Sequence, residues 1–329
     1  MQKNKKVTLS IIIVNWNSGD HLRKCILSIE KAKKENIEIK EIIIVDNSST
    51  DDSLRKIHDL ILTTKINIIR NDKNIGFAAA CNMGAGETES DYILFLNPDS
   101  VLLEESLIKP IEFMEEETNK NIGIIGIQLI DEKWRISKSC NRFPRLNDFL
   151  VIIFGINKIF PKLFKTHKMT DWNHKTSRIV EQVVGAFFLV RYSLYKKLDG
   201  FDERYFVYYE EVDFSIRAKK LGYYSYYYAE ARAIHTGGGC TEKAKSSRIF
   251  YNLRSRILYV NKHIGALEAF ILHLLTLFIE PVTRIFYALF WLKIKDIKDT
   301  VIAFRELYLD TPKIIKLCIK GENENITFI

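Results

Sequence analysis

The chain has 329 residues, 47% hydrophobic and 27% charged, a globular composition long enough for one large or two modest domains. Those proportions exclude a disordered or fibrous chain. The formal net charge of +8 is uneven: residues 241–329 carry 14 Lys and Arg against 9 Asp and Glu, a balance of +5 that suits an anionic membrane surface or substrate. No DNA- or RNA-binding motif accompanies that charge, so nucleic acid is not an expected partner.

The first hundred residues alternate regularly. Leu9–Val14 is a β-branched run, followed by a polar turn (Asn15, Trp16, Asn17) and a helical pattern through Leu22, Cys25, Ile26 and Ile29. Ile39–Val45 is a second strand ending in Asp46-Asn47-Ser48-Ser49-Thr50-Asp51, which supplies turn chemistry and helix caps. The spacing then predicts a helix through Leu54, Ile57, His58 and Ile61, a strand at Ile66–Ile69, a small-residue helix over Gly76–Gly86 and a strand at Tyr92–Leu96. Such alternation predicts an α/β fold with a mostly parallel sheet and helices on both faces. Ligands bind such sheets beyond the carboxyl ends of the strands. Three polar clusters fall there, at Asn15–Asn17, Asp46–Asp51 and Asn97-Pro98-Asp99-Ser100.

Residues 141–173 read as a long excursion over the sheet, a lid or acceptor loop or simple surface filler. Further on, Val183–Phe188, Gly200-Phe201-Asp202-Glu203 and Tyr209-Glu210-Glu211-Val212-Asp213 place five acidic residues within twelve positions among aromatics. Carboxylates in apolar surroundings need a partner or a task. After His235-Thr236-Gly237-Gly238-Gly239 the pattern becomes helical. The uncharged runs Ala269–Ile279 and Ile285–Leu292 are each too short to span a bilayer and are separated by Glu280-Pro281. They are expected to lie in the membrane interface with Trp291, Lys293 and Lys295 at the headgroups, or else to pack on the catalytic domain or a second subunit.

The five cysteines (Cys25, Cys81, Cys140, Cys240, Cys318) are scattered, without metal-ligand spacing, which points to a reducing compartment. The segment Met1–Lys6 runs into the first strand without an apolar core or cleavage site, so no signal peptide is read and a cytoplasmic location is expected.

Taken in order, these segments resemble family 2 glycosyltransferases, the inverting nucleotide-sugar transferases of GT-A fold, and within them bacterial rhamnosyltransferase-type enzymes of surface polysaccharide assembly. The resemblance covers residues 8–260. It rests on Ser10–Asn17, Val45–Asp51, Asn74-Ile75-Gly76-Phe77-Ala78 with Asn82, Leu96-Asn97-Pro98-Asp99, Gly185-Ala186, Gly200–Glu203, Glu210–Asp213 and His235. It implies a Rossmann-like GT-A domain over residues 1–240, with a nucleotide-binding half (1–100) and an acceptor and catalytic half (101–240). A helical, amphipathic, membrane-associating region over 241–329 would follow. The implied activity moves a sugar from dTDP-rhamnose or a UDP-sugar to a hydroxyl of a lipid-linked or oligosaccharide acceptor, at the inner face of the cell membrane. A homo-oligomer stays open.

The resemblance also assigns roles. Asp46 would accept the pyrimidine N–H, with Asn15 and Asn17 lining base and ribose, although Asn17 and Asp51 serve equally well as turn and cap residues. Asn74, Gly76, Asn82 and Gly185 would let backbone and amide groups approach the nucleotide sugar, Gly76 having a packing role as its alternative. Asn97-Pro98-Asp99 stands where the family carries Asp-x-Asp, so Asp99, with His235, would hold Mg²⁺ or Mn²⁺ and Asn97 would contact the donor. Glu211 takes the place of the catalytic base, usually an aspartate, with Asp213 and Glu210 as the other candidates. The exchanges at Asn97 and Glu211 leave a non-catalytic sugar-nucleotide or polysaccharide-binding relative as the alternative. A dinucleotide-dependent oxidoreductase would need Gly-x-Gly-x-x-Gly after the first strand, where the chain has Asn15-Trp16-Asn17-Ser18-Gly19-Asp20.

Overall fold

The computed structural model describes residues 6–164, 166–237 and 245–319. The chain divides into two compact units. The first holds the described residues of Met1–Arg142, Met169–Phe201 and Glu211–Cys240, and the second those of Phe143–Lys168, Asp202–Glu210 and Thr241–Ile329.

In the first unit the elements run β1 (Val7–Asn15), α1 (Asp20–Lys31), β2 (Ile37–Asp46), β3 (Ile66–Arg70), α2 (Phe77–Gly86), β4 (Tyr92–Leu96) and β5 (Ser100–Leu102). They continue with α3 (Ile108–Glu115), β6 (Ile122–Ile130) and β7 (Cys140–Asn141). The helices α4 (Leu146–Ile153) and α5 (Ile156–Ile159) belong to the second unit. Back in the first come β8 (Arg178–Val180), β9 (Gln182–Val183), β10 (Phe187–Arg191), α6 (Tyr192–Lys197), α7 (Glu210–Lys220, its first residue assigned to the second unit) and β11 (Tyr224–His235).

Eight strands form the order β3-β2-β1-β4-β10-β6-β11-β5, with β8 pairing β11 as a ninth. β3, β2, β1 and β4 are parallel, β10 runs antiparallel between β4 and β6, β11 is parallel to β6, and β5 closes antiparallel on β11. Alternate residues of the same strands feed two cores, as period-2 geometry dictates. Ile11, Ile13, Ile42, Ile44 and Leu94 pack with Leu22, Ile26 and Ile29 of α1 and Ile111 and Met114 of α3. Ile12, Val14, Ile43, Val45 and Phe95 pack with Ala78 and Cys81 of α2, Leu194 of α6 and Phe214 of α7. A Cβ at Gly84 would stand 2.8 Å from Ile12 Cγ2, so the small residues of α2 let that helix lie close on the sheet.

One expected helix differs. Leu54–Ile61 holds only a 3₁₀ turn at Arg55–Ile57, and Ile61 is fully exposed. The stretch is too short to repay helix nucleation, and the Asp51 carboxylate holds the chain ahead of it in turn geometry by accepting from Ser53 N and Oγ.

In the second unit α8 (Lys245–His263), α9 (Ala266–Phe278), α10 (Glu280–Phe290) and α11 (Ile294–Ile319) enclose a core of Leu253, Ile257, Leu277, Phe304, Leu307 and Ile314. Glu280 is buried between Arg256 (2.5 Å) and Arg284 (2.8 Å). Its burial would push the carboxyl up, but the two guanidinium groups outweigh that and hold it below the usual range. Most of the excursion from residue 143 belongs with these helices. Tyr259 donates to Pro144 O (2.9 Å) and Thr283 to Ile153 O (2.7 Å). Ala266–Phe290 together is a 25-residue stretch long and apolar enough to cross a membrane by length and composition. The helix nevertheless breaks at Ile279, beside the buried Glu280.

Candidate active site

The polar loops after β1 and β2 form one hydrogen-bonded set. Pairing of Asn15 with Asp46 in the parallel ladder brings both side chains to the same sheet edge. There Asn15 Nδ2 donates to Asp46 Oδ1 (2.6 Å), Ser49 Oγ (3.1 Å) and Ser53 Oγ (3.0 Å). Ser49 N–H donates to Asp46 Oδ2 (3.1 Å), so each oxygen of the buried carboxylate has one protein donor and keeps a lone pair. Asn17, at φ 52°, accepts at Oδ1 from Thr50 N (2.7 Å) and Asp51 N (3.2 Å), while Asp51 Oδ2 accepts from Gly19 N (2.7 Å). Asn17 and Asp51 therefore clasp the two loops together.

The glycine turn before α2 joins the same edge. Asn47 Nδ2 donates to Gly76 O (3.0 Å), and Gly76 N–H donates to Asn74 Oδ1 (2.9 Å). Gly76 has φ 92°, which a side chain would strain, so conformation explains the glycine here. Asn82 lies elsewhere in its contacts: its amide donates to Phe201 O (2.8 Å) and accepts from Phe201 N (2.9 Å) and from Tyr195 Oη. It ties α2 to the Gly200-Phe201 turn.

Asn97-Pro98-Asp99 follows β4 on the same carboxyl side. Asn97 N–H donates to Ala186 O (3.1 Å), as does Ser100 Oγ (3.1 Å), which seats Gly185-Ala186 against the motif. Gly185 is half-buried, and an added Cβ would meet only Phe77 Cε1 at 4.0 Å. Antiparallel pairing of β5 with β11 sets His235 opposite Ser100, and His235 Nε2 lies 3.3 Å from Asp99 Oδ1. Burial would raise the Asp99 carboxyl, but the hydrogen bond and charge of His235 hold it below the usual carboxylate range. Among the described residues no third His, Cys, Asp or Glu joins them in a metal-sized group. Gly238 and Gly239, expected beside the phosphates, lie outside the described residues.

The acidic cluster separates into distinct environments. Asp213 is fully buried and bound by Arg217 (2.7 Å), whose guanidinium also donates to Leu198 O (2.6 Å) and Gly200 O (2.8 Å). Glu210 is buried. Asp202 pairs with Arg204 (2.6 Å) and Lys262 (2.8 Å) within the second unit. Glu211 lies in the first turn of α7, and no Lys or Arg among the described residues forms an ion pair with it. Burial pushes its carboxyl up to about 7, only partly offset by the backbone amides of Glu211 and Val212. Its Oε1 accepts from Gln182 Nε2 (3.3 Å), and its Oε2 is buried without a partner. Tyr208 and Tyr209, directly before α7, take φ 69° and 73°, the left-handed region that strains a tyrosine.

Four peptide units separate Gln182, on Glu211, from Ala186, on Asn97 and Ser100. The carboxylate and the Asn97–Asp99 motif are thus linked by no more than about 14 Å of extended chain. Gln182 is a site residue that no motif in the sequence singles out.

A family model for glycosyl transferase family 2 matches residues 10–197. The rhamnosyltransferase WbbL of Escherichia coli is 30% identical over 175 residues, 52% of this chain, and the match spans 62% of that protein's length. An N-acetylglucosaminyl-diphospho-decaprenol L-rhamnosyltransferase of Mycobacterium tuberculosis is 23% identical over 78% of this chain and 85% of that protein. The mannosyltransferase PcManGT of Pyrobaculum calidifontis, solved with GDP-Man and Mn²⁺, superposes with TM-score 0.53 at 11% identity over 96% of this chain and 79% of that one. That likeness establishes the fold. With its family model covering more than half the chain and rhamnosyltransferases among its relatives, this GT-A chain belongs to glycosyl transferase family 2.

Proposed function

We propose that the protein is an inverting glycosyltransferase that moves a sugar from dTDP-rhamnose or a UDP-sugar to a hydroxyl of a lipid-linked glycan in surface polysaccharide synthesis. The observation that carries this reading is the pairing of two unlike centres. One is a buried carboxylate with an imidazole at the strand ends, and the other is a desolvated carboxyl on α7, linked to the first through Gln182–Ala186. An inverting displacement needs both, a site that receives the departing diphosphate and a base that takes the acceptor's proton. Relatives named as rhamnosyltransferases support the donor class, and one named for a diphospho-decaprenol substrate supports a lipid-linked acceptor.

The donor set of Asp99 and His235, one carboxylate oxygen and one imidazole nitrogen, fits Mn²⁺ or Mg²⁺ whose remaining positions go to diphosphate oxygens and water. Bound there, the cation would neutralise charge on the leaving diphosphate. With Asn97 in place of a second aspartate the site is one anionic ligand short, so the cation would bind tightly only together with the nucleotide. Asn15 and Asp46 would receive the base, and the Gly76 turn and the Asn97 side chain would approach the ribose and phosphates.

The second unit would bring the enzyme to the cytoplasmic face of the membrane as a peripheral protein. Phe270, Phe278, Val282, Phe286, Phe290 and Trp291 are exposed along α9 and α10. Phe154, Ile159, Phe160 and Leu163 are exposed on and beside α5, which Lys158 joins to α10 by lying 4.3 Å from the Tyr287 ring centroid. Exposed Lys293, Lys295 and Lys298 follow, the arrangement of an interfacial helix over anionic lipid.

A thermal-shift screen of nucleotide sugars identifies the donor, since a ligand at 100 times its dissociation constant stabilises by about 2.7 kcal/mol. With that donor, Asp99→Ala is expected to reduce metal-dependent transfer to the background rate in a folded protein. Full activity of Asp99→Ala in a chelator-controlled assay overturns the assignment.

A further inference from the structure

Gln182 is 1% exposed on the short strand β9, and both protons of its amide are spent. Nε2 donates to Val183 O (2.8 Å) and to Glu211 Oε1 (3.3 Å). Two acceptors therefore fix the orientation of the amide: turned over, its oxygen would face a carbonyl and a carboxylate at once. What remains is unusual for a protein interior. Gln182 Oε1 and Glu211 Oε2 are both buried acceptors without a donor. They sit on two side chains that already touch; an incoming hydroxyl has one proton to give, and of the two oxygens the carboxylate's is the base.

We propose that Gln182 positions the Glu211 carboxylate for catalysis, holding Oε1 so that Oε2 alone is presented to the acceptor hydroxyl. The inference rests on the reading of Glu211 as the base. In the step itself the acceptor O–H bond breaks and its proton passes to Glu211 Oε2. The oxygen bonds to the anomeric carbon as the bond to the diphosphate breaks, and the electron pair leaves with the diphosphate.

A donor on the carboxylate also favours its charged form, so Gln182 counters part of the upward push of burial on Glu211. The carboxylates beside these two in the chain are Glu181, Glu210 and Asp213. Asp213 is held by Arg217, Glu181 lies 3.8 Å from Lys219, and Glu210 precedes Glu211 in the chain. None of them is a donor that could replace Gln182.

The test compares Gln182→Met, which keeps the volume without the donor, and Gln182→Glu, which keeps the shape but brings a like charge. The readouts are kcat against pH, donor KM and melting temperature, with Glu211→Gln as control. Loss of one hydrogen bond to a charged group should move the acid limb of the kcat profile of Gln182→Met up by about one pH unit. Turnover at pH 7 falls by about fivefold and recovers toward pH 9, with donor KM unchanged. Gln182→Glu should move the limb further in the same direction, and it answers the question should the methionine variant not fold. If both variants keep the wild-type limb while Glu211→Gln is inactive, Gln182 is a packing residue and the proposal fails on its own. If Glu211→Gln is active, the base reading fails and this proposal falls with it.

Discussion

The carboxylates of the strand-end loops and the carboxylate at the start of α7 occupy the same unit under opposite conditions. Asp46 and Asp51 accept from amides and hydroxyls on both oxygens, and the donors on Asp51 outweigh its burial to hold it below the usual range. Glu211 has one long side-chain hydrogen bond, from Gln182, one oxygen without a partner among the described residues, and a carboxyl raised to about 7. The loop carboxylates are held in place by their donors, as a nucleotide cradle requires. Glu211 is built to exchange a proton near neutral pH, where a general base works best. Burial alone does not divide them, since Asp46 is buried and Asp51 exposed, yet both have a donor on each oxygen.

Asp213 sharpens the comparison, because it lies two residues from Glu211 and belongs with the saturated class. Asp213→Asn breaks a buried pair whose guanidinium also holds Leu198 O and Gly200 O, so a loss of about 3 kcal/mol in unfolding stability is expected from denaturant melts. Turnover of whatever remains folded should be close to wild type. A stable but inactive Asp213→Asn would place it in the catalytic class and erase the contrast.

The two units differ as well. The sheet unit buries its apolar residues on both faces, whereas the helical unit leaves Phe286, Phe290, Trp291 and Leu292 exposed beside Lys293. Lys293→Gln is expected to weaken binding to anionic vesicles at low salt by about fivefold, the value of one basic residue near the surface. If the wild-type protein shows no vesicle binding under those conditions, the exposed face serves a protein contact instead.

The sheet was legible because its strands are buried on both faces and read as unbroken β-branched runs. Leu9–Val14 and Ile39–Val45 fall within one or two residues of the ends of β1 and β2. The loops were legible through their turn chemistry and their place at the carboxyl ends. The expected helix after Asp51 was not, because its periodicity rested on three apolar residues and His58, and both His58 and Ile61 face solvent. The kinship of residues 143–164 with the C-terminal helices depends on hydrogen bonds more than a hundred residues apart in sequence, which local pattern does not encode. Gln182 was invisible for the same reason: a lone glutamine between Glu181 and Val183 forms no motif, and only the fold brings it to Glu211.

The account turns on the identity of the base, and one substitution tests it. Glu211→Gln keeps size and polarity but cannot take a proton. With the donor found by thermal shift, it should lower kcat by about 10²-fold or more while donor affinity barely changes. The wild-type rate should fall about tenfold per unit as pH drops below about 7, because the base must be deprotonated to act, and the residual rate of the variant should lack that limb. Near-normal turnover of Glu211→Gln alongside a folded but dead Asp213→Asn would contradict the account and move the base two residues along α7.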